Sequence, residues 1–503
     1  MKLYPLLSIL LLAIGALSAC KEKEPCARQQ GDSYVGVTLT IGSSAFRADE
    51  NDNYNKVGTW NGKDDIKTMD VFVLDNKTVT REHYTESDLR VVYESNGTVI
   101  IKPKKAIKTK QGMKIFYALV NAYPSLISEL IAYTPKEFIE KWATQAHNMP
   151  IAEAASYNAT HGKDVVMAAC IEPAHLNEQP DITEEQALDE NKNSVPMTMK
   201  RAVARVFVTA VKENFEVAIN GKKIGVVSNL TYSGAQGDKS LYLGQKKVNG
   251  LIQSPGYAWM PTSASDFATA AADKYDYSDL QKKDRKVIFH PKGTLTNPES
   301  EITQEWLKNS FFIAETTHSY QNNASNLDPA KYDGGYRRGN TAYVLIRATF
   351  TPTSFADNGS YTPGSTFYYG ANNKFYTNEA NVHDPKKGGV VGQNYQTYKD
   401  GVAYYYSYLN PDNKETPLEA PVFRNSVYHL NISSVNNIGL NWNPLYPENP
   451  SQPNPDPSPD GDRPTPLPFR PEDPLSPVAT WITVQITVIP WNVNEYEEVL
   501  GHN

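Results

Sequence analysis

The residues best placed to carry chemistry stand at the start of the chain. Lys2 is followed by an apolar run from Leu6 to Ala16 and then by Leu17-Ser18-Ala19-Cys20. A positive start, an apolar run of that length and small residues before the cut are the parts of a secretory signal. A cysteine directly after Leu-Ser-Ala makes the site a lipobox, at which signal peptidase II would remove residues 1–19 and leave Cys20 as an acylated N-terminus. The chemistry implied is lipid attachment to a thiol, which would hold a precursor on a membrane. Cys26 and Cys170 are the other two cysteines. With Cys20 acylated, one disulfide at most is left, so the fold must stand on its core.

Nothing else in the chain has the spacing of a reaction centre. No Walker A sequence, G-x-S-x-G elbow, H-E-x-x-H or dinucleotide-type glycine fingerprint is present. The nine histidines lie at least fourteen residues apart, so no metal-ligand spacing arises locally. Asp49 to Asn55 and Asp456 to Asp462 are rich in Asp and Asn, but neither has the ligand spacing of a calcium loop and both read as solvated loops. We therefore expect no enzyme, no cofactor and no metal. A formal charge of −7 without a basic run lacks the electrostatic footprint of a nucleic-acid binder.

The elements behind these features are mainly strands. The chain has 503 residues, with 31 Tyr, 34 Pro and 30 Gly, a composition tilted toward turn-rich β structure and ample for several domains. After a polar tether over 21–32, Val35, Val37, Leu39 and Ile41 alternate with small polar residues, which predicts a half-buried strand over 34–41. A polar stretch from Asp49 to Lys56 follows as an exposed, cleavable loop. Met69–Leu74 and Lys114–Val120 are apolar strand runs, and 134–146, with Phe138, Ile139 and Trp142 at helical spacing, predicts one short helix. A second block opens at Ala202–Val208 and continues through Ala342–Phe350 and Ser426–Ile432. Thirteen prolines between Pro444 and Pro477 predict a stiff, extended spacer that does not pack. Beyond it Ile482, Val484, Ile486 and Val488 alternate again, in a strand that needs a sheet to join. The tyrosines, including Tyr368-Tyr369 and Tyr404-Tyr405-Tyr406, fill sheet faces and edges in the simplest reading, with an adhesive surface as the other.

Taken in order, the lipobox, the first strand, the Arg47-Ala48 junction, Lys114–Pro124, Val195–Val208 and Arg424–Ile432 resemble the Bacteroidetes fimbrillins, and among them the shaft subunits of short, minor fimbriae. Lys21-Glu22-Lys23-Glu24 is similar to the tag by which those bacteria export lipoproteins to the surface. The resemblance implies a mainly β fold of two transthyretin-like β-sandwich domains with a few short helices. It implies a signal peptide over 1–19, a propeptide over 20–47, domains over 48–198 and 199–443, a Pro-rich linker over 444–478 and a donor segment over 479–503. An arginine-specific surface protease would cut between Arg47 and Ala48, and the strand carrying Val35, Val37, Leu39 and Ile41 would leave. A strand from another subunit, carrying Ile482, Val484, Ile486 and Val488, would take its groove.

The implied partners are copies of the chain itself, anchor and tip subunits of the fimbria, the protease, and host receptors or other bacteria. The precursor would sit at the outer membrane through its lipid, palmitate among the acyl chains, and the product in a cell-surface fimbrium serving adhesion and virulence. A monomeric surface lipoprotein adhesin, or a tip or anchor component, are the alternatives. An intact final strand that simply completes its own domain is the competing reading of 481–489.

Overall fold

Strands begin where apolar alternation begins and stop at turn residues, as the patterns above require. The computed structural model describes residues 32–42, 60–62, 64–94, 97–319, 332–409, 418–448, 453–459 and 470–475, together with the backbone of 482–490. Cys20, Cys26, Arg47, Ala48 and most of the loop after the first strand lie outside the described residues.

The first domain is built from β1 (Asp32–Ile41), β2 (Thr68–Leu74), β3 (Val99–Pro103), β4 (Ile107–Lys110) and β5 (Gly112–Val120). There follow α1 (Pro135–Trp142), β6 (Lys163–Val166), β7 (Ala168–Cys170), α2 (Glu184–Leu188) and β8 (Ser194–Arg201). Within a ten-stranded sheet the order β2-β5-β7-β8-β1-β3 places the first strand of the chain in the interior, with β4 also paired to it.

The helix α1 starts where Thr134 and Glu137 cap each other, the hydroxyl accepting from the Glu137 N–H and the carboxylate from the Thr134 N–H. Its buried face is the i, i+4 pair Phe138 and Trp142, whose rings lie 5.0 and 4.7 Å from that of Tyr117. Ile139, expected on the same face, is 45% exposed, because the stripe that reaches the sheet is narrower than the sequence pattern suggests.

The second domain holds β9 (Val203–Ala210), β10 (Lys222–Ala235), β11 (Tyr343–Pro352), β12 (Val402–Tyr408), β13 (Ser426–Val435) and β14 (Ile482–Pro490). β9 runs parallel to β13 in one sheet, while β10, β11 and β12 form an antiparallel one. Val206, Val208, Leu430 and Ile432 from the first meet Val227, Val344, Ile346 and Phe350 from the second in one core. This is the sandwich arrangement, with alternate side chains of each strand turned inward. Tyr405 is buried in this core, and a separate cluster collects Tyr275, Tyr277, Tyr336, Tyr343, Tyr406 and Tyr408.

All eight residues of β9 are buried, since the strand serves two cores at once. Ala204, Val206, Val208 and Ala210 belong to the second domain's core, whereas Val203 and Phe207 belong to the first's. The change of sheet comes at Ala202: Met199, where the second domain was expected to open, still pairs within the first sheet, opposite Cys170. Two buried ion pairs sit at this junction. Arg201 Nε donates to Asp64 at 2.9 Å, and Arg205 is paired with Asp164. For Asp164 burial outweighs the guanidinium, and its carboxyl lies above the usual range.

The described parts of the Pro-rich segment, 444–448, 453–459 and 470–475, correct the expectation of an unpacked spacer. Asp456 is 1% exposed and forms a two-pronged ion pair with Arg347, which also donates to Ser233 Oγ at 2.7 Å. Leu475 is fully buried and bridges Leu418, and the Gly339 N–H donates to Pro471 at 2.9 Å. Prolines stiffen a chain but leave the residues between them free to dock, and one carboxylate opposite a buried arginine suffices to pin the segment.

Candidate functional site

The feature that organises the first domain is the slot occupied by β1. One edge of β1 runs parallel to β8, from Gly36 opposite Ser194 to Ile41 opposite Met199. The other edge is antiparallel to two collinear strands, β4 for residues 32–35 and β3 for residues 39–41. Val35, Val37, Leu39 and Ile41 all point into the core, none more than 4% exposed. The four residues singled out from the sequence are thus brought together as one buried row. Removing β1 would leave two unpaired strand edges and a four-pocket apolar groove.

Polar groups hold the two ends. Ser33 Oγ donates to the Gln179 carbonyl at 2.7 Å and accepts from Asn193 Nδ2 at 3.1 Å. Thr38 Oγ1 bonds the Glu190 carboxylate, which also faces Lys102 on β3 at 2.5 Å. The Lys102 ammonium and the Thr38 hydroxyl hold the Glu190 carboxyl below its ordinary range. Asp32 and Lys108, 2.7 Å apart, close the exposed mouth.

Sequence reasoning missed Gly36, Ser33 and the segment that covers them. A Cβ built on Gly36 would stand 2.0 Å from the Ala187 carbonyl oxygen of α2, so α2 lies directly on the outer face of β1. A glycine in the middle of an otherwise regular strand is the signal that could have found it, because it marks close approach of another backbone.

The second set of expected residues, Ile482, Val484, Ile486 and Val488, lies in β14, in the other domain. β14 runs antiparallel to β13 from Ile482 opposite Val435 to Pro490 opposite Ser426, at the end of its sheet. The two sets are not brought together within one chain. Cys170 is buried, its thiol pushed up to about 12 by burial and its sulfur accepting from the Ala118 N–H at 3.4 Å. It is therefore no bridge to a second chain. Among the described residues no group of three His, Cys, Asp or Glu side chains is placed to hold a metal.

The model for the C-terminal part of fimbrillin, the major fimbrial subunit protein type IV, matches residues 396–497, a span that contains β12, β13, the Pro-rich segment and β14. A minor fimbrium subunit, Mfa1, of Porphyromonas gingivalis is 31% identical over 517 residues, covering 97% of each chain. A second Mfa1 sequence of the same organism is 30% identical over 524 residues, again with 97% of each covered. Among solved structures, a fimbrilin of Porphyromonas gingivalis aligns over 92% of this chain and 99% of its own at 12% identity, with a TM-score of 0.40, too loose to bear on function. Identity at the level of the two Mfa1 sequences, sustained from end to end, means that the chain belongs to the fimbrillin family of minor fimbrium subunits, structural proteins of cell-surface fimbriae.

Proposed function

We propose that the chain is a shaft subunit that polymerises by exchanging strands. The precursor is a lipoprotein anchored through Cys20 at the outer membrane, and an arginine-specific protease cuts it between Arg47 and Ala48. The strand with Val35, Val37, Leu39 and Ile41 then leaves, and Ile482, Val484, Ile486 and Val488 of another copy enter the groove. Residues 20–47 are the propeptide, 48–198 and 199–443 the two domains with the change of sheet at Ala202, and 479–503 the donor segment behind the Pro-rich stretch. Anchor and tip subunits would join the same chain ends, and host receptors or other bacteria would be met at the surface of the polymer.

One observation carries this reading: the strand just upstream of Arg47 is the interior strand β1, whose loss opens a groove bounded on both edges. Filling four aliphatic pockets at roughly 1.5–3 kcal/mol each contributes about 6–12 kcal/mol before ordering costs. A strand at the end of a sheet, as β14 is, gives up one ladder when it moves to a neighbour.

A specific observation favours a second reading. The pairing of β14 with β13 in its own domain suits an ordinary last strand, and with it a monomeric surface adhesin or a terminal component. The test is the N-terminal residue and mass of the protein recovered from cells, alongside Arg47→Ala. The proposal expects Ala48 without lipid in the native protein, and in the variant a folded monomer retained on the surface. Fibres of normal length from Arg47→Ala would move the cut elsewhere or remove strand loss as the trigger.

A further inference from the structure

The segment 179–193, which contains α2, is a clasp over the groove. The Tyr34 N–H donates to the Ile182 carbonyl at 3.2 Å and the Gly36 N–H to the Asn193 carbonyl at 2.9 Å. Any strand could make those two bonds. Asn193 Nδ2 likewise donates to a backbone carbonyl, that of Tyr34, at 3.2 Å, and the contacts that remain are particular to β1. Ser33 bonds Gln179 and Asn193, Thr38 bonds Glu190, and Gly36 alone lets the Ala187 carbonyl approach to where a Cβ would be. The clasp is also tied to the far edge of the groove, with the Ala106 N–H donating to Glu184 Oε1 at 3.1 Å and Lys102 facing Glu190 at 2.5 Å.

Residues 479–492 contain no glycine. Every register of that segment therefore sets a Cβ opposite Ala187. The depth of an incoming strand is not free to adjust, because ladder bonds on both edges hold it in the sheet and its inward side chains must fill the four pockets. Carbon and oxygen at 2.0 Å are impossible neighbours. Relieving them to an ordinary contact of about 3.5 Å requires the Ala187 carbonyl to withdraw by roughly 1.5 Å.

We infer that the 179–193 clasp is the specificity element of the groove: it closes on the glycine-bearing strand of its own precursor and must be lifted by a glycine-free strand from a second copy. The clasp keeps β1 in place against competing strands until proteolysis, and afterwards opens as a condition of assembly. This rests on the strand replacement proposed above.

The test locks the clasp shut. Ala106→Cys with Glu184→Cys, in the full chain carrying Cys20→Ser and Cys26→Ser, is bridged by a short thiol–thiol cross-linker, cut with an arginine-specific protease and followed by electron microscopy and gel. Polymer is expected from the unbridged protein and lost from the bridged one. Equal polymer from both would overturn the clasp while leaving strand replacement standing. Absence of polymer from the cleaved unsubstituted chain would instead remove strand replacement itself. Amide exchange on the unsubstituted protein covers a failure of the double variant to fold. Faster exchange across 182–190 is expected in the polymer than in the uncleaved chain, and unchanged exchange would overturn the inference.

Discussion

Buried ionisable side chains set how this subunit responds to its medium. Burial, with His290 alongside, lowers His429 to about 3, and Thr209 Oγ1 lies 2.7 Å from its Nε2. Below its ordinary pKa the unfolded chain takes up a proton that the fold refuses. The contribution of His429 is intact above about pH 6.5 and is lost progressively as the pH falls toward 3. Asp238 has the opposite sign. Burial raises it to about 7, although the Gly256 N–H donates to it at 2.9 Å. The fold keeps a proton there that the unfolded chain releases near pH 4, so stability is lost as the pH rises from about 4 to 7. Thermal unfolding across that range should show His429→Gln losing less stability than the parent on acidification, and Asp238→Asn losing less on the way up. At Asp456 the effect is direct. Asp456→Ala strands the buried Arg347 guanidinium and should cost about 3–5 kcal/mol in denaturant unfolding, with faster proteolysis of the Pro-rich segment.

At the scale of elements, the proposed strand exchange makes β14 the part that holds the polymer. Placing charges at Val484 and Ile486 should abolish assembly, since two unpaired carboxylates in a neighbour's apolar groove cost several kcal/mol each and cancel the gain from insertion. The processed monomer of Val484→Asp with Ile486→Asp should keep its fold, because β14 is the last strand of its sheet and is paired on one side by β13. Melting curves read beside electron micrographs check this. A large drop in monomer stability would return β14 to its own domain.

At the scale of the whole molecule the two domains act as one block. β9 feeds both cores, and the pairs Arg201–Asp64 and Arg205–Asp164, all four side chains buried, lock the junction. Such pairs are costly to break singly and cheap to replace together. Asp164→Ala should destabilise the chain by about 3–5 kcal/mol, whereas Asp164→Leu combined with Arg205→Met should recover most of the loss. Equal losses in single and double variants would show that the pair stabilises beyond its packing. Such a two-domain block would suit the proposed shaft role, because force along the fibre would then fall on the strand in the groove and not on a hinge.

Local pattern was enough to place the long strands, since a period of two in apolar residues has one stable use, a face turned to a core. Val35 to Ile41, Lys114 to Val120 and Val203 to Val208 were legible on that ground, and the order of motifs named the family. Which edge each strand meets was not legible. The parallel pairing of β1 with β8 joins residues some 160 positions apart, and nothing in either segment specifies the other. The clasp on Gly36, the docking of Asp456 on Arg347 and the seat of β14 beside β13 likewise depend on backbone and charge meeting across the fold. Alternation determined which side chains would be buried; the tertiary structure decided against what, because packing partners are chosen by shape and pairing over distances that local sequence does not encode.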